Sequence, residues 1–138
     1  MYKVEIIRFL LHRRKKMIRW VSFLFTAMFS CIFAAPLALT SDGFQEAVSS
    51  SKVAVIDVYA DWCGACKKFA PIFTQASEKY SGQFQFFKVN ADKQGALVKQ
   101  LQIEGLPTTV FFKNGVEVGR EIGYMDADYF AEKLKSFQ

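Results

Sequence analysis

Two cysteines three residues apart, in Asp61-Trp62-Cys63-Gly64-Ala65-Cys66-Lys67, are the side chains best suited to chemistry. They directly follow a short β-branched and aromatic run, Val53-Ala54-Val55-Ile56-Asp57-Val58-Tyr59-Ala60, which reads as a buried strand. The residues after Cys63 read as the start of a helix. Cysteines at i and i+3 in a first helical turn share one face and lie close enough to bond. Cys63 then stands where unpaired N–H groups and the helix dipole favour negative charge. A thiolate is stabilised there, and the thiolate is the nucleophile of disulfide exchange. Gly64 and Ala65 keep the turn small and leave Cys63 open to a partner.

Three plainer readings compete with redox chemistry. A zinc site needs about four ligands, but there is no second CxxC and the one histidine is His12, far up the chain. A purely structural disulfide would close a very short loop, where the entropic gain is smallest. Two inert buried thiols sit poorly with the polar flank of Asp61, Lys67 and Lys68. Redox exchange therefore carries most of the weight.

Elements that could hold this turn follow on both sides. Leu37-Ala38-Leu39 reads as a short edge strand, and Gly43–Val48 as a helix ended by Ser49-Ser50-Ser51. A helix from about Cys63 to Tyr80 carries Phe69, Ile72, Phe73 and Ala76 at helical spacing, with a kink expected at Pro71. Phe84–Val89 reads as a strand and Asp92–Gln102 as a helix. Thr108–Phe112 and Val116–Ile122 flank Lys113-Asn114-Gly115, a strong hairpin signal. A last helix is expected over Asp126–Phe137. This order predicts an α/β fold, a central mixed sheet flanked by helices on both faces.

Charge divides the chain. Residues 1–20 hold seven basic side chains against Glu5, leaving eleven basic and twelve acidic residues beyond, so the formal +5 belongs to the head. The remainder offers no basic patch for nucleic acid. From Trp20 to Leu39 there is no charge. A basic cluster, an apolar run and then small residues is the pattern of an export signal, with cleavage expected after Ala34 or Ala38; an uncleaved membrane anchor is the second reading. The organisation expected is a head over 1–36 and one domain over 37–138. Met17 is the expected translation start, because Met17-Ile18-Arg19 forms a conventional short basic region. Cys31 leaves with a cleaved signal, so the mature chain keeps Cys63 and Cys66 alone.

With its elements in place, the domain resembles thioredoxin over essentially all of residues 37–138. Trp62-Cys63-Gly64-Ala65-Cys66-Lys67 matches the family's W-C-G-P-C-K except at Ala65. Pro71 matches its helix proline, and Gly105-Leu106-Pro107-Thr108 the loop whose proline is cis and faces the dithiol. Lys113-Asn114-Gly115 matches its hairpin turn, and Gly123 a glycine of the binding groove. The resemblance implies the thioredoxin fold and a protein-disulfide reductase with no cofactor beyond the Cys63–Cys66 pair, acting as a monomer on protein disulfides. It implies that Cys63 attacks and Cys66 resolves. Asp57 stands alone in an apolar strand, where a carboxylate is costly to bury without a task. It matches the buried acid that handles the proton of Cys66, and Lys88 matches its lysine neighbour. Trp62, Gly64, Ala65, Leu106, Pro107 and Gly123 are the expected substrate-binding surface, a shallow apolar groove for an extended peptide.

Two departures matter. Ala65 replaces the family proline between the cysteines, so a less reducing potential is expected. Tyr59 replaces a common tryptophan, and Tyr59-Ala60-Asp61-Trp62-Cys63 is similar to the exported domain of the membrane thiol:disulfide interchange transporter. That similarity implies a periplasmic reductase, soluble or anchored to the inner membrane, recharged by a membrane interchange protein. Oxidase, isomerase or relay activity uses the same residues. A peptide-binding or chaperone module without turnover is the reading from a different class.

Overall fold

The computed structural model describes residues 35–138. The basic cluster, most of the apolar run, His12 and Cys31 lie outside the described residues, and so do the expectations that rest on them. Among the described residues no helix is long and apolar enough to cross a membrane.

The elements are β1 (Leu37–Ala38), α1 (Phe44–Ser50), β2 (Val53–Tyr59), α2 (Gly64–Tyr80), β3 (Gln85–Asn90), α3 (Gly95–Gln100), β4 (Thr108–Lys113), β5 (Val116–Ile122) and α4 (Ala127–Ser136). They form a mixed sheet of order β1-β3-β2-β4-β5. β1, β3 and β2 run parallel, while β4 and β5 are antiparallel to their neighbours. β2 is central because its residues are apolar on both faces: Ala54, Val55, Ile56 and Val58 are all fully buried.

Period-2 alternation sorts the strands' side chains between two cores. Ala54, Ile56 and Val58 pack with Phe44 and Val48 of α1 and Leu97 of α3. Val53 and Val55 pack with Phe69 and Phe73 of α2 and Phe130 and Leu134 of α4. Much of the chain's phenylalanine is spent here. Phe73 contacts Phe69, Phe86 and Phe130 at centroid separations of 5.8, 5.4 and 5.8 Å. α2 continues through Pro71 as one helix, and its register on the sheet sets where its first turn lies.

Asn114 and Gly115 take φ of 52° and 81°. Positive φ at both central positions is the two-residue turn whose twist suits a hairpin. β5 is an edge strand and carries a register irregularity opposite Phe111 and Phe112. On that edge Arg120 binds Glu117 through both of its oxygens, at 2.6 and 2.8 Å. The same guanidinium donates to the carbonyls of Leu101 and Gln102 at 3.1 and 3.3 Å.

Two boundaries differ from the pattern. α3 begins at Gly95 rather than Asp92, because the Asn90 side-chain oxygen accepts the N–H groups of Asp92 and Lys93 at 3.0 and 3.3 Å. That local turn competes with helix for the same donors. β3 begins at Gln85, after the Phe84 N–H has closed the end of α2 on Tyr80 O at 3.0 Å.

Gly119 in β5 supports a first prediction. A Cβ there would lie 2.8 Å from Cζ of Phe137, whose ring stacks on Phe111 at 4.6 Å. Gly119→Ala must push that ring off its partner. A loss of about 1–3 kcal/mol is expected in urea denaturation, the usual cost of overpacking.

Candidate active site

β2 delivers the chain to Ala60, and a tight turn follows in which the Cys63 N–H reaches Ala60 O at 3.2 Å. Cys63 is extended (φ −78°, ψ 110°) and is the N-cap of α2. Its sulfur occupies the place of a capping oxygen and accepts the Cys66 N–H at 3.1 Å. Cys63 and Cys66 are joined as a disulfide, with Cα atoms 5.3 Å apart. When that bond opens, charge on the Cys63 sulfur meets an N–H already aimed at it and the positive end of a 17-residue helix. The Cys66 sulfur, inside the turn, has no such place at the cap.

The pair is less open than the motif suggests. Cys63 is 6 % exposed and Cys66 4 %. Tyr59, Ala65 and Leu106 pack around them. The sulfur expected to be open thus belongs to a buried residue, with part of its cover from Leu106, distant in sequence.

The loop bearing that cover is tightly held. The Leu106–Pro107 peptide is cis. Thr108 Oγ1 donates to Gly105 O at 2.7 Å, and the Gly123 N–H to Pro107 O at 2.7 Å. Gly123 has φ 103°, a backbone that glycine adopts without strain. Leu106 thus joins Cys63, Cys66 and Ala65, while Pro107 and Gly123 are joined through the backbone. Gly64 is exposed. Trp62 is 71 % exposed and turned toward the β3–α3 turn, its indole N–H donating to the Asp92 carboxylate at 3.1 and 3.3 Å.

Four residues of this surface escape the sequence reading. Asp92 fixes the Trp62 ring. Asn90 ties the turn to Asp61, its amide donating to the carboxylate at 3.2 Å. Ile122 and Tyr124, 58 % and 51 % exposed, flank Gly123, and a Cβ on Gly105 would come within 3.2 Å of Ile122. A polar Asn closing an apolar strand is the signal for the first tie. Nothing local marks the other three. A cleft of about 430 Å³ lies at the opposite end of β2, lined by Lys52, Phe84 and Gln138 among others, and holds neither thiol nor perturbed acid. The exposed side chains beside the dithiol, Trp62, Ile122 and Tyr124, offer apolar surface of the kind that suits an extended polypeptide.

Asp57 is on the sheet face covered by α2, one alternate position beyond Val55. It is 1 % exposed. Burial pushes its carboxyl up to about 7, partly offset by the charge of Lys88. Lys88 is its register partner in β3 and also lies over the Tyr59 ring, 4.6 Å from the centroid. An acid titrating near neutrality can exchange a proton with a thiol at little energetic cost. Asp57 Oδ1 and Thr109 Oγ1 are buried with no hydrogen-bond partner among the described residues.

A capped cysteine pair at a strand-to-helix turn, with an acid of raised pKa on the sheet below, defines a disulfide oxidoreductase. The family model described as Thioredoxin matches residues 35–136. Thioredoxin-1 of Saccharomyces cerevisiae is 38 % identical over 84 residues, 61 % of this chain and 81 % of that protein. A thioredoxin-like protein of Synechocystis is 39 % identical over 95 residues, 68 % of this chain and 90 % of its own length. The structure of Malassezia sympodialis thioredoxin superposes with a TM-score of 0.70 at 30 % identity, covering 75 % of this chain and 90 % of that one. The chain belongs to the thioredoxin family, has its fold, and is an enzyme of the protein-disulfide reductase class.

Proposed function

We propose that this protein reduces disulfides of other proteins in the periplasm, using the dithiol Cys63–Cys66 and no further cofactor. The observation that carries the chemistry is the Cys63 sulfur in the N-cap of α2, accepting the Cys66 N–H. The Cys63 thiolate attacks a substrate disulfide; that S–S bond breaks, and the departing sulfur keeps the electron pair. Asp57, as carboxylate, then takes the proton from the Cys66 thiol. The Cys66 sulfur attacks Cys63, the mixed disulfide breaks, and the second substrate sulfur leaves with its pair. Two electrons have passed to the substrate, and Cys63–Cys66 is a disulfide. Trp62, Gly64, Ala65, Leu106, Pro107 and Gly123 hold the substrate segment, and Lys88 supports Asp57.

The basic and apolar head supports export, or anchoring at the inner membrane, and the domain works as a monomer. The run Tyr59–Cys63 supports recharging by a membrane thiol:disulfide interchange protein. N-terminal sequencing of the exported chain, with Ala35 or Leu39 expected first, tests the cleavage.

The reduction potential of the Cys63–Cys66 pair tests the direction of flow. Equilibration against a dithiol buffer should give a value nearer the family's about −270 mV than the about −120 mV of a strong oxidant, displaced upward by Ala65. A value at the oxidising end would make the protein an oxidase, recharged by a quinone-linked partner.

A further inference from the structure

One polar row crosses the sheet face beneath α2. Lys88 of β3, Asp57 of β2, Thr109 of β4 and Glu121 of β5 are successive register partners. The adjacent row on this face is apolar, Phe86, Val55 and Phe111. The outer members are engaged: Lys88 with the Tyr59 ring, and Glu121 with Lys133 of α4 at 2.5 Å. The inner members carry the two orphaned buried side-chain atoms among the described residues, Asp57 Oδ1 and Thr109 Oγ1. Both residues are almost completely buried.

A valine would fill the place of Thr109 without burying a hydroxyl, so the hydroxyl itself needs an account. Its neighbour Thr108 uses its own on Gly105 O. Register partners on antiparallel strands hold their Cβ atoms about 4.5–5.5 Å apart. A threonine hydroxyl can then reach the facing carboxylate by moving from one staggered χ1 well to another.

We propose that Thr109 is a positioning residue for the resolving step, its hydroxyl donating to the ionised carboxylate of Asp57 and holding it ready for the Cys66 proton. This rests on the reading of Asp57 as the proton acceptor. Thr109 makes and breaks no covalent bond. The proton passes from the Cys66 sulfur to Asp57 as the Cys66–Cys63 bond forms and the substrate sulfur departs with the electron pair. Among the described residues the ionisable group whose charge acts on Asp57 is Lys88 from β3. Glu121, one position beyond Thr109, is neutralised by Lys133 of α4.

The test is a carboxyl ¹³C titration of Asp57 in the oxidised protein, beside the pH profile of disulfide reduction. A donor to the charged form lowers an acid's pKa. Thr109→Val should therefore raise the midpoint by about one pH unit and move the rate inflection the same way. Thr109→Ser should restore both. Thr109→Ala removes the same hydroxyl and serves if the valine variant does not fold. A native midpoint in Thr109→Val overturns the inference. So does a serine variant shifted as far as valine, which would assign the effect to packing. Asp57→Asn must abolish the rate inflection that coincides with the carboxyl midpoint of Asp57; if that inflection persists, the reading of Asp57 falls first and this inference with it.

Discussion

Cys63→Ser brings insulin reduction down to the uncatalysed rate, a loss on the order of 10³-fold or more. Serine keeps the cap, since its hydroxyl can accept the Cys66 N–H as the sulfur does. Fold and stability therefore survive while the nucleophile is gone. Cys66→Ser behaves differently. Cys63 still attacks, no neighbour resolves the bond, and substrates accumulate as mixed disulfides visible on a non-reducing gel. The asymmetry follows from geometry, because only Cys63 occupies the helix cap. A Cys63→Ser protein with full reductase activity would end the assignment. The double-serine variant addresses the non-catalytic reading: a peptide-binding module would keep its biological role without either thiol.

Asp57→Asn stabilises the oxidised protein at pH 8 by about 4 kcal/mol, from roughly three pKa units at 1.36 kcal/mol each. The sign comes from comparing the two states. The carboxyl titrates at 3.8 in the ordinary case and about 7 in the fold. Below 3.8 both states hold the proton, and the native acid costs nothing extra in charge. Between 3.8 and about 7 the unfolded chain releases it while the folded chain keeps it, so stability falls as pH rises. Above 7 the full cost of a buried carboxylate is in place. The gain from asparagine should therefore be near zero at pH 3.5 and complete by pH 8 in urea titrations. A gain independent of pH would show that Asp57 is not titrating in the fold as described. The same variant should resolve mixed disulfides more slowly, the usual opposition between stability and function at a strained site.

Much of this was readable from residue order. The β2 run, the long amphipathic α2 and the Asn114-Gly115 turn are local signals, each contained in one stretch of chain. The solitary carboxylate in an apolar strand marked Asp57, and the resemblance supplied Lys88 as its neighbour. What could not be read was built from distant pieces. The resemblance places Leu106 in the groove wall, but not as close cover over Cys63, and the Trp62 ring is held by Asp92, thirty residues away. Thr109 looks like any β-branched strand residue until the register sets it against Asp57. The shortened α3 lies between these cases. Asn90 is a visible turn former, but the helical spacing of Ala96, Leu97, Val98 and Leu101 hides where it takes over.

The sheet's two margins, within the described residues, have a colloidal consequence. β1 is two residues long, too short to template another chain. β5 is longer and bears exposed valines, yet its register irregularity opposite Phe111 and Phe112 and the Glu117–Arg120 pair spoil a regular pairing surface. Margins of this kind resist strand-by-strand polymerisation into fibrils, so the sides of the sheet stay unpaired while the dithiol end remains free to meet other chains.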